Sequence, residues 1–297
     1  MDEARPRLAA VLGNPISHSK SPRMHNYWLK QNKLNGYYIP IKVELEDFEQ
    51  TIRALVNMGF SGVNVTIPHK LSALKIADKS SSTAQYIGAA NTLTFTKENK
   101  IYADNTDAYG FINNIKFKYP DWTPTKGISV VLGAGGASRA VIAALLSEGS
   151  EKIIVLNRTI EKAEALKKDY DNKITVESWK NINEVAASSS NIINTTSLGM
   201  NDETFIAINP KAIPETALVS DLVYTPLETN LLKIAKDRGS RTVDGLGMLI
   251  HQGIPGFEAW FGQKPLVTEE LRKILICLLY TSDAADEGLG VDLGGRR

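Results

Sequence analysis

The sequence predicts an α/β fold in two domains, with mostly parallel sheets and a cleft between the domains. Three observations predict it. Short apolar runs alternate with amphipathic stretches along nearly the whole chain, the pattern of repeated βα units. A turn with glycines at Gly133, Gly135 and Gly136 stands between an apolar run and a helical stretch. The chain has 297 residues, 43% of them apolar, enough to fill two cores of ordinary size.

The elements follow in order. Leu8 to Leu12 is an apolar run and predicts the first strand. Ser21 before Pro22 predicts a helix N-cap followed by proline, and that helix should run to Gln31. Gly36 to Ile41 predicts a strand, and Leu45 to Asn57 a helix closed by Gly59. Gly62 to Val65 predicts a short strand, with a helix opening near Pro68. Asn91 to Thr96 and Ile101 to Asp104 predict a hairpin across Lys97 to Lys100. After the Pro and Lys cluster at Pro120 to Lys126, a second βα series begins. It comprises a strand at Ile128 to Leu132, a helix from Ala137 to Leu146 ended by Gly149, a strand at Lys152 to Leu156 and a helix from Ile160 to Tyr170. Asn191 to Asn194 and Ala217 to Asp221 predict strands, and Leu227 to Arg238 a helix stopped by Gly239. Met248 to Phe261 and Thr268 to Leu279 predict closing helices.

Composition narrows the function classes. The net charge of +1 provides no overall field for nucleic acid or an anionic membrane, so neither is an expected partner. No apolar run approaches the roughly 18 residues of a membrane span, and Met1 to Ala10 lacks the apolar stretch of a secretory signal. The single cysteine, Cys277, forms no internal disulfide, and a reducing cytoplasm is expected. Its apolar surroundings, Ile274 to Tyr280, predict a buried core thiol. One cysteine and four histidines without paired spacing predict no metal site. Thr281 to Arg297 is rich in Gly and Asp without apolar period and is expected to lie outside the fold.

The glycine turn carries the strongest local signal. Gly133-Ala134-Gly135-Gly136-Ala137-Ser138 follows a strand and opens a helix, the context of a Rossmann-type dinucleotide site. Backbone N–H groups there can approach a pyrophosphate, and the helix N-terminus adds partial positive charge. Ser138 stands where the common fingerprint has a third Gly or Ala, and it is small enough to preserve helix–strand packing. The next strand ends at Asn157-Arg158-Thr159, where NAD enzymes usually carry an acid for the ribose 2′-hydroxyl. An amide, a guanidinium and a hydroxyl there suit a 2′-phosphate, so NADP is the expected cofactor. Thr195, Thr196 and Ser197 follow another strand end and offer hydroxyls to the same crevice.

Outside this segment, hydroxyls and amides gather around Lys70 and Asp107. The clusters are Gly13-Asn-Pro-Ile-Ser-His-Ser19-Lys-Ser21-Pro22, Asn64-Val-Thr66-Ile-Pro68-His-Lys70, Asn91-Thr92 and Asp104-Asn-Thr-Asp107. They suit a neutral polyol better than a metal. With GAGGAS, NRT, NTTSLGM and DGLGMLIHQ (Asp244 to Gln252), these motifs stand in an order that resembles the shikimate dehydrogenase family over residues 8 to 280. The resemblance implies reversible, NADPH-dependent reduction of 3-dehydroshikimate to shikimate, a step toward aromatic amino acids. It implies that Ser19 and Ser21 hold the substrate carboxylate, with Tyr224 near that end. Thr66, Asn91 and Gln252, with Asn64 beside them, serve the ring hydroxyls. It implies Lys70 and Asp107 as the catalytic pair, and Gly245 and Met248 beside the nicotinamide.

The expected division is a substrate domain of residues 1–106 and 246–280, interrupted by a nucleotide domain of residues 107–245. The expected assembly is a monomer or homodimer. A relative acting on quinate, and a non-catalytic metabolite sensor on the same fold, stand as the alternatives.

Overall fold

A computed structural model describes residues 5–171, 173–200 and 206–286. The N-terminal part contains β1 (Arg7–Gly13), α1 (Ser21–Gln31), β2 (Gly36–Lys42), α2 (Phe48–Asn57), β3 (Gly62–Val65), α3 (Lys70–Ile76), β4 (Lys79–Ser80), α4 (Ser82–Ile87), β5 (Thr92–Phe95) and β6 (Ile101–Asp104). Its strands form one sheet in the order β2-β1-β3-β5-β6-β4. The β2-β1-β3 pairs are parallel, and β5 and β6 form the antiparallel hairpin that the sequence predicts. Helix α5 (Asp107–Lys118) then leads into β7 (Ile128–Leu132), α6 (Gly136–Ser147), β8 (Lys152–Asn157), α7 (Ile160–Asp169), β9 (Ile174–Ser178), α8 (Ile182–Ala187), β10 (Ser189–Asn194), β11 (Leu218–Asp221), α9 (Asn230–Asp237) and β12 (Arg241–Val243). These strands form a second, wholly parallel sheet in the order β12-β11-β10-β7-β8-β9. The order reverses between β7 and β10, and a doubly wound sheet opens its ligand crevice at such a point.

Each sheet is covered on both faces, so inner strands such as β1, β7 and β8 are nearly continuous apolar runs. One face of the first sheet packs Ile52, Leu55 and Phe60, the other Met24, Trp28, Ile254 and Phe257. The last two come from α10 (Gly245–Phe261), which returns from the far end of the chain together with α11 (Glu269–Asp286). Val141, Leu145 and Leu166 cover one face of the second sheet, and Val185, Leu231 and Leu232 the other.

Several expectations are corrected. Ser21 is the first residue of α1 rather than its cap, with Lys20 at the N-cap position and no side-chain cap bond. Helix α2 starts at Phe48, α3 at Lys70 and α9 at Asn230, each later than the apolar pattern suggests. For α9 the reason is Thr229, whose hydroxyl accepts from the Leu232 N–H and sets the start. Conversely α10 begins at Gly245, because the Asp244 side chain accepts from the Leu246 N–H and caps a glycine-rich first turn. Helix α5 has no counterpart in the sequence reading, since Gly110, Asn113 and Asn114 blur its period. The short elements β4, α4, β9, α8 and β12 were likewise not anticipated. Cys277 is exposed, not buried: Leu271 and Leu275 of α11 take the core-facing positions, and Cys277 lies two residues past the second. Helix α11 also continues to Asp286, into the segment expected to lie outside the fold. Residues 287–297 of that segment lie outside the described residues. Among the described residues no helix is long and apolar enough to cross a membrane, and no cluster of His, Cys, Asp and Glu could hold a metal ion.

Candidate active site

Strand ends and helix starts deliver the polar residues to one place. Asn64 ends in β3, Lys70 opens α3, Asn91 precedes β5 and Asp107 opens α5. The first sheet brings the first three side by side, because β3 lies between β1 and β5. Lys70 Nζ stands 2.5 Å from Asp107 Oδ2, with the two side chains 27% and 12% exposed. Asp107 Oδ1 accepts from Asn91 Nδ2 at 2.9 Å, so the carboxylate is held from both sides. Asn91 is oriented in turn: its Oδ1 accepts from the Thr106 N–H at 2.8 Å and from the Thr92 hydroxyl at 3.0 Å. Asn105 supports the turn, with Oδ1 accepting from the Asp107 N–H at 3.0 Å and Nδ2 donating to Ala89 O at 2.9 Å. The pair is therefore preorganised on rigid elements rather than on loops.

A cavity of about 410 Å³ surrounds this pair. It is lined by every residue expected at the substrate and catalytic positions: Ser19, Ser21, Asn64, Thr66, Lys70, Asn91, Asp107, Tyr224 and Gln252. Gly245, Met248 and Ala137 line it as well, and Ala137 belongs to α6 of the second sheet, so the cavity lies between the domains. Burial raises the Tyr224 phenol above its ordinary value and keeps it neutral. The approach of α5 to α10 is close at Gly110, where a Cβ would stand 2.7 Å from Gln252 Cβ.

A second cavity, about 560 Å³, opens at the crevice of the parallel sheet. Gly133, Ala134, Gly135, Asn157, Arg158, Thr159, Thr195, Thr196 and Ser197 line it. Gly133 adopts φ +109°, and a Cβ there would lie 2.8 Å from Thr195 Oγ1. Only glycine fits that turn. Gly135 precedes α6 without any side-chain cap bond, leaving first-turn N–H groups for a ligand. Ser138 is a correction: it is fully buried, its hydroxyl donates to Gly135 O at 2.7 Å, and it braces the turn instead of lining the cavity. Gly136 is exposed and opens α6 beside the lining. The Thr195–Ser197 segment is pinned by Asn194, whose Oδ1 accepts from the Thr196 N–H at 3.0 Å and whose Nδ2 donates to Asp221 at 2.8 Å. Burial pushes the Asp221 carboxyl up to about 6, against the pull of bonds from Thr229, Val223 and Asn194.

The sequence reading missed Lys162 and Trp179 in this cavity. Lys162 lies four residues after Arg158 near the start of α7, and helical spacing could have found it. Trp179 follows β9, which no local pattern announced. Neither Arg158 nor Lys162 forms an ion pair among the described residues, so both cations face the cavity without a protein counter-charge. Cations without an acid at this strand end fit a 2′-phosphate.

Three family profiles match the chain: the shikimate dehydrogenase substrate binding domain at residues 11–93, shikimate / quinate 5-dehydrogenase at residues 123–204, and the shikimate 5′-dehydrogenase C-terminal domain at residues 245–273. Shikimate dehydrogenase (NADP(+)) of Roseobacter denitrificans is 49% identical over 269 residues, which is 91% of this chain and 97% of that protein. The chain belongs to the shikimate dehydrogenase family. Among solved family structures, the Thermus thermophilus shikimate 5-dehydrogenase in complex with NADP(H) and shikimate superposes with TM-score 0.80 at 34% identity, covering 93% of this chain and 99% of that one. A quinate dehydrogenase from Corynebacterium glutamicum in complex with NAD superposes with TM-score 0.84 at 28% identity, again covering 93% and 99%. The shikimate dehydrogenase family thus supplies the two-domain fold seen here, with a parallel nucleotide-type sheet facing a smaller polar cavity.

Proposed function

We propose that this chain is an NADP-dependent oxidoreductase that reversibly reduces 3-dehydroshikimate to shikimate, on the route to chorismate and the aromatic amino acids. The observation that carries this reading is the Lys70–Asp107 pair, 2.5 Å apart in a polar cavity between the domains. NADPH, when bound, supplies a hydride to the ketone carbon. The Lys70 ammonium donates a hydrogen bond to the ketone oxygen and gives up one proton as negative charge develops there. Asp107 remains a carboxylate and orients Lys70, while Asn91 holds Asp107 in place. In the oxidative direction neutral Lys70 accepts the hydroxyl proton.

Ser19, Ser21 and Tyr224 are assigned to the substrate carboxylate, and Asn64, Thr66, Asn91 and Gln252 to its ring hydroxyls, since all line the same cavity. Gly245 and Met248 are assigned to the nicotinamide end. Gly133, Ala134, Gly135, Gly136, Ala137, Thr195, Thr196 and Ser197 are assigned to the pyrophosphate and ribose. Asn157, Arg158, Thr159 and Lys162 are assigned to the 2′-phosphate. The matching domain assignment is residues 1–106 and 246–280 for substrate and 107–245 for nucleotide. Strand positions support it, because the first sheet draws on residues 7–104 and the second on 128–243.

The test is a spectrophotometric assay with purified protein. NADPH should be consumed with 3-dehydroshikimate, and NADP should be reduced with shikimate. Turnover of quinate with a higher kcat/KM than shikimate would reassign the substrate. No turnover of either polyol would overturn the enzyme reading.

A further inference from the structure

Behind the cavity wall lies a buried chain of contacts to which no role has been given. Tyr38 of β2 is 1% exposed and does not line the cavity. Its hydroxyl stands 2.6 Å from Asn64 Oδ1. The strand between them, β1, places Ala9 opposite Tyr38, and the small methyl leaves room for the ring to reach toward β3. Tyr38 is held through both its ring and its backbone. His25 stacks on it with centroids 4.0 Å apart and planes 4° from parallel. Asn26 clasps its backbone, donating to Tyr38 O at 2.7 Å and accepting from the Tyr38 N–H at 3.1 Å.

The orientation of the Asn64 amide follows from what its neighbours can do. Its Nδ2 lies 3.2 Å from Asn91 O, a backbone carbonyl that only accepts, so the nitrogen must be on that side. The same Nδ2 donates to Thr92 Oγ1 at 3.1 Å, which uses both amide protons. The Tyr38 hydroxyl must then donate to Oδ1. One acceptor lone pair on Oδ1 is the only hydrogen-bonding capacity left to Asn64.

We infer that Tyr38 is a positioning residue that fixes Asn64 as an obligate acceptor, so that this wall of the cavity reads a substrate hydroxyl as a donor. The inference rests on the proposed assignment of Asn64 to a ring hydroxyl. A carbonyl or carboxylate at the same place would meet an acceptor and be rejected, because a buried acceptor pair carries an unmet bond on each side.

The first test uses Tyr38→Phe, which keeps the ring stacked on His25 and removes only the hydroxyl. The shikimate KM should rise about fivefold, the scale of one lost net hydrogen bond, with kcat and the NADP KM within about twofold of the parent. Adding Tyr38→Phe to an Asn64→Ala background should change the shikimate KM by less than about twofold, as a double-mutant cycle requires of a residue acting through its partner. A full, independent effect in that background would overturn the inference, as would an unchanged KM in the single variant. The second test needs no substrate. The Asn64 side-chain amide signals in an amide-correlated NMR spectrum of the ligand-free protein should shift and broaden in Tyr38→Phe. Identical signals in the two proteins would overturn the inference. Altered signals in a protein that never oxidises shikimate would sink the proposed reaction instead and leave the role of Tyr38 standing.

Discussion

Replacing Gly110 by alanine should damage the active site from behind. Gly110 lies on α5, one turn after Asp107, at the crossing with α10. An added Cβ would stand 2.7 Å from Gln252 Cβ and 2.9 Å from both Gln252 N and Met248 O. Non-bonded carbons prefer about 3.5 to 4.0 Å, so the helices must part by about 1 Å. Two of the three clashing atoms belong to the α10 backbone, which cannot rotate away as a side chain could. Overpacking of this kind costs about 1–3 kcal/mol, offset by up to about 1 kcal/mol from the better helix propensity of alanine. The net expectation is a loss of about 1–2 kcal/mol. The same displacement separates Asp107 and Gln252, and a misplacement of about 1 Å can cost about 100-fold in rate. The assay is urea unfolding together with kcat/KM for shikimate, with the Kd for NADPH as a control. That Kd should change far less than kcat/KM, because the Gly133 turn and the Arg158 end of the nucleotide site lie on other elements and only the Met248 end is displaced. A Gly110→Ala protein with parental stability and kcat/KM within about threefold would refute the claim that this helix crossing sets the site's geometry.

Lys70→Ala should lower kcat by about 100-fold or more, the scale of general acid catalysis, with a much smaller change in the substrate KM; a variant that keeps most of its kcat removes Lys70 from the mechanism. Arg158→Ala and Lys162→Ala should each raise the KM for NADPH far more than that for NADH, and equal effects on the two cofactors would show that neither cation reads the 2′-phosphate. Acid should destabilise the protein well above the ordinary carboxylate range. Burial lowers His25 to about 3 and His251 to about 4 from 6.5, so below pH 6.5 the unfolded chain binds protons that the native state refuses, and stability falls with pH. Asp221, raised from 3.8 to about 6, works in the opposite sense, because the native state takes its proton first. Together these leave the protein about 2 kcal/mol less stable at pH 5 than at pH 7, and a flat or rising stability between those values by urea unfolding would contradict the assignment. Asp221→Asn should steepen that fall, since it removes the one group of the three that gains a proton in the native state.

Periodicity and punctuation fixed most of the architecture in advance. The parallel runs, the β5–β6 hairpin and the strand–turn–helix at Gly133 are local patterns, and local patterns survive without tertiary context. The substrate residues were found through motif order. Their separation of up to 233 residues, from Ser19 to Gln252, leaves no periodic trace. What failed has a common physical cause. Helix α5 carries Gly110, Asn113 and Asn114 and reads poorly as a helix, yet it forms because α10 and the second sheet's core cover it. Cys277 was misplaced because burial depends on which face of a helix meets a neighbour.

The chain's order of residues thus established the βα alternation, the glycine turn and its basic strand end, and the types of polar group available for chemistry. Each of these depends on neighbours within a turn or a strand. Packing alone decided that Lys70 meets Asp107 and that Tyr38 reaches Asn64 across β1. Those contacts join side chains that are distant in the chain or lie on separate elements, and their geometry is set by strand order and helix crossings.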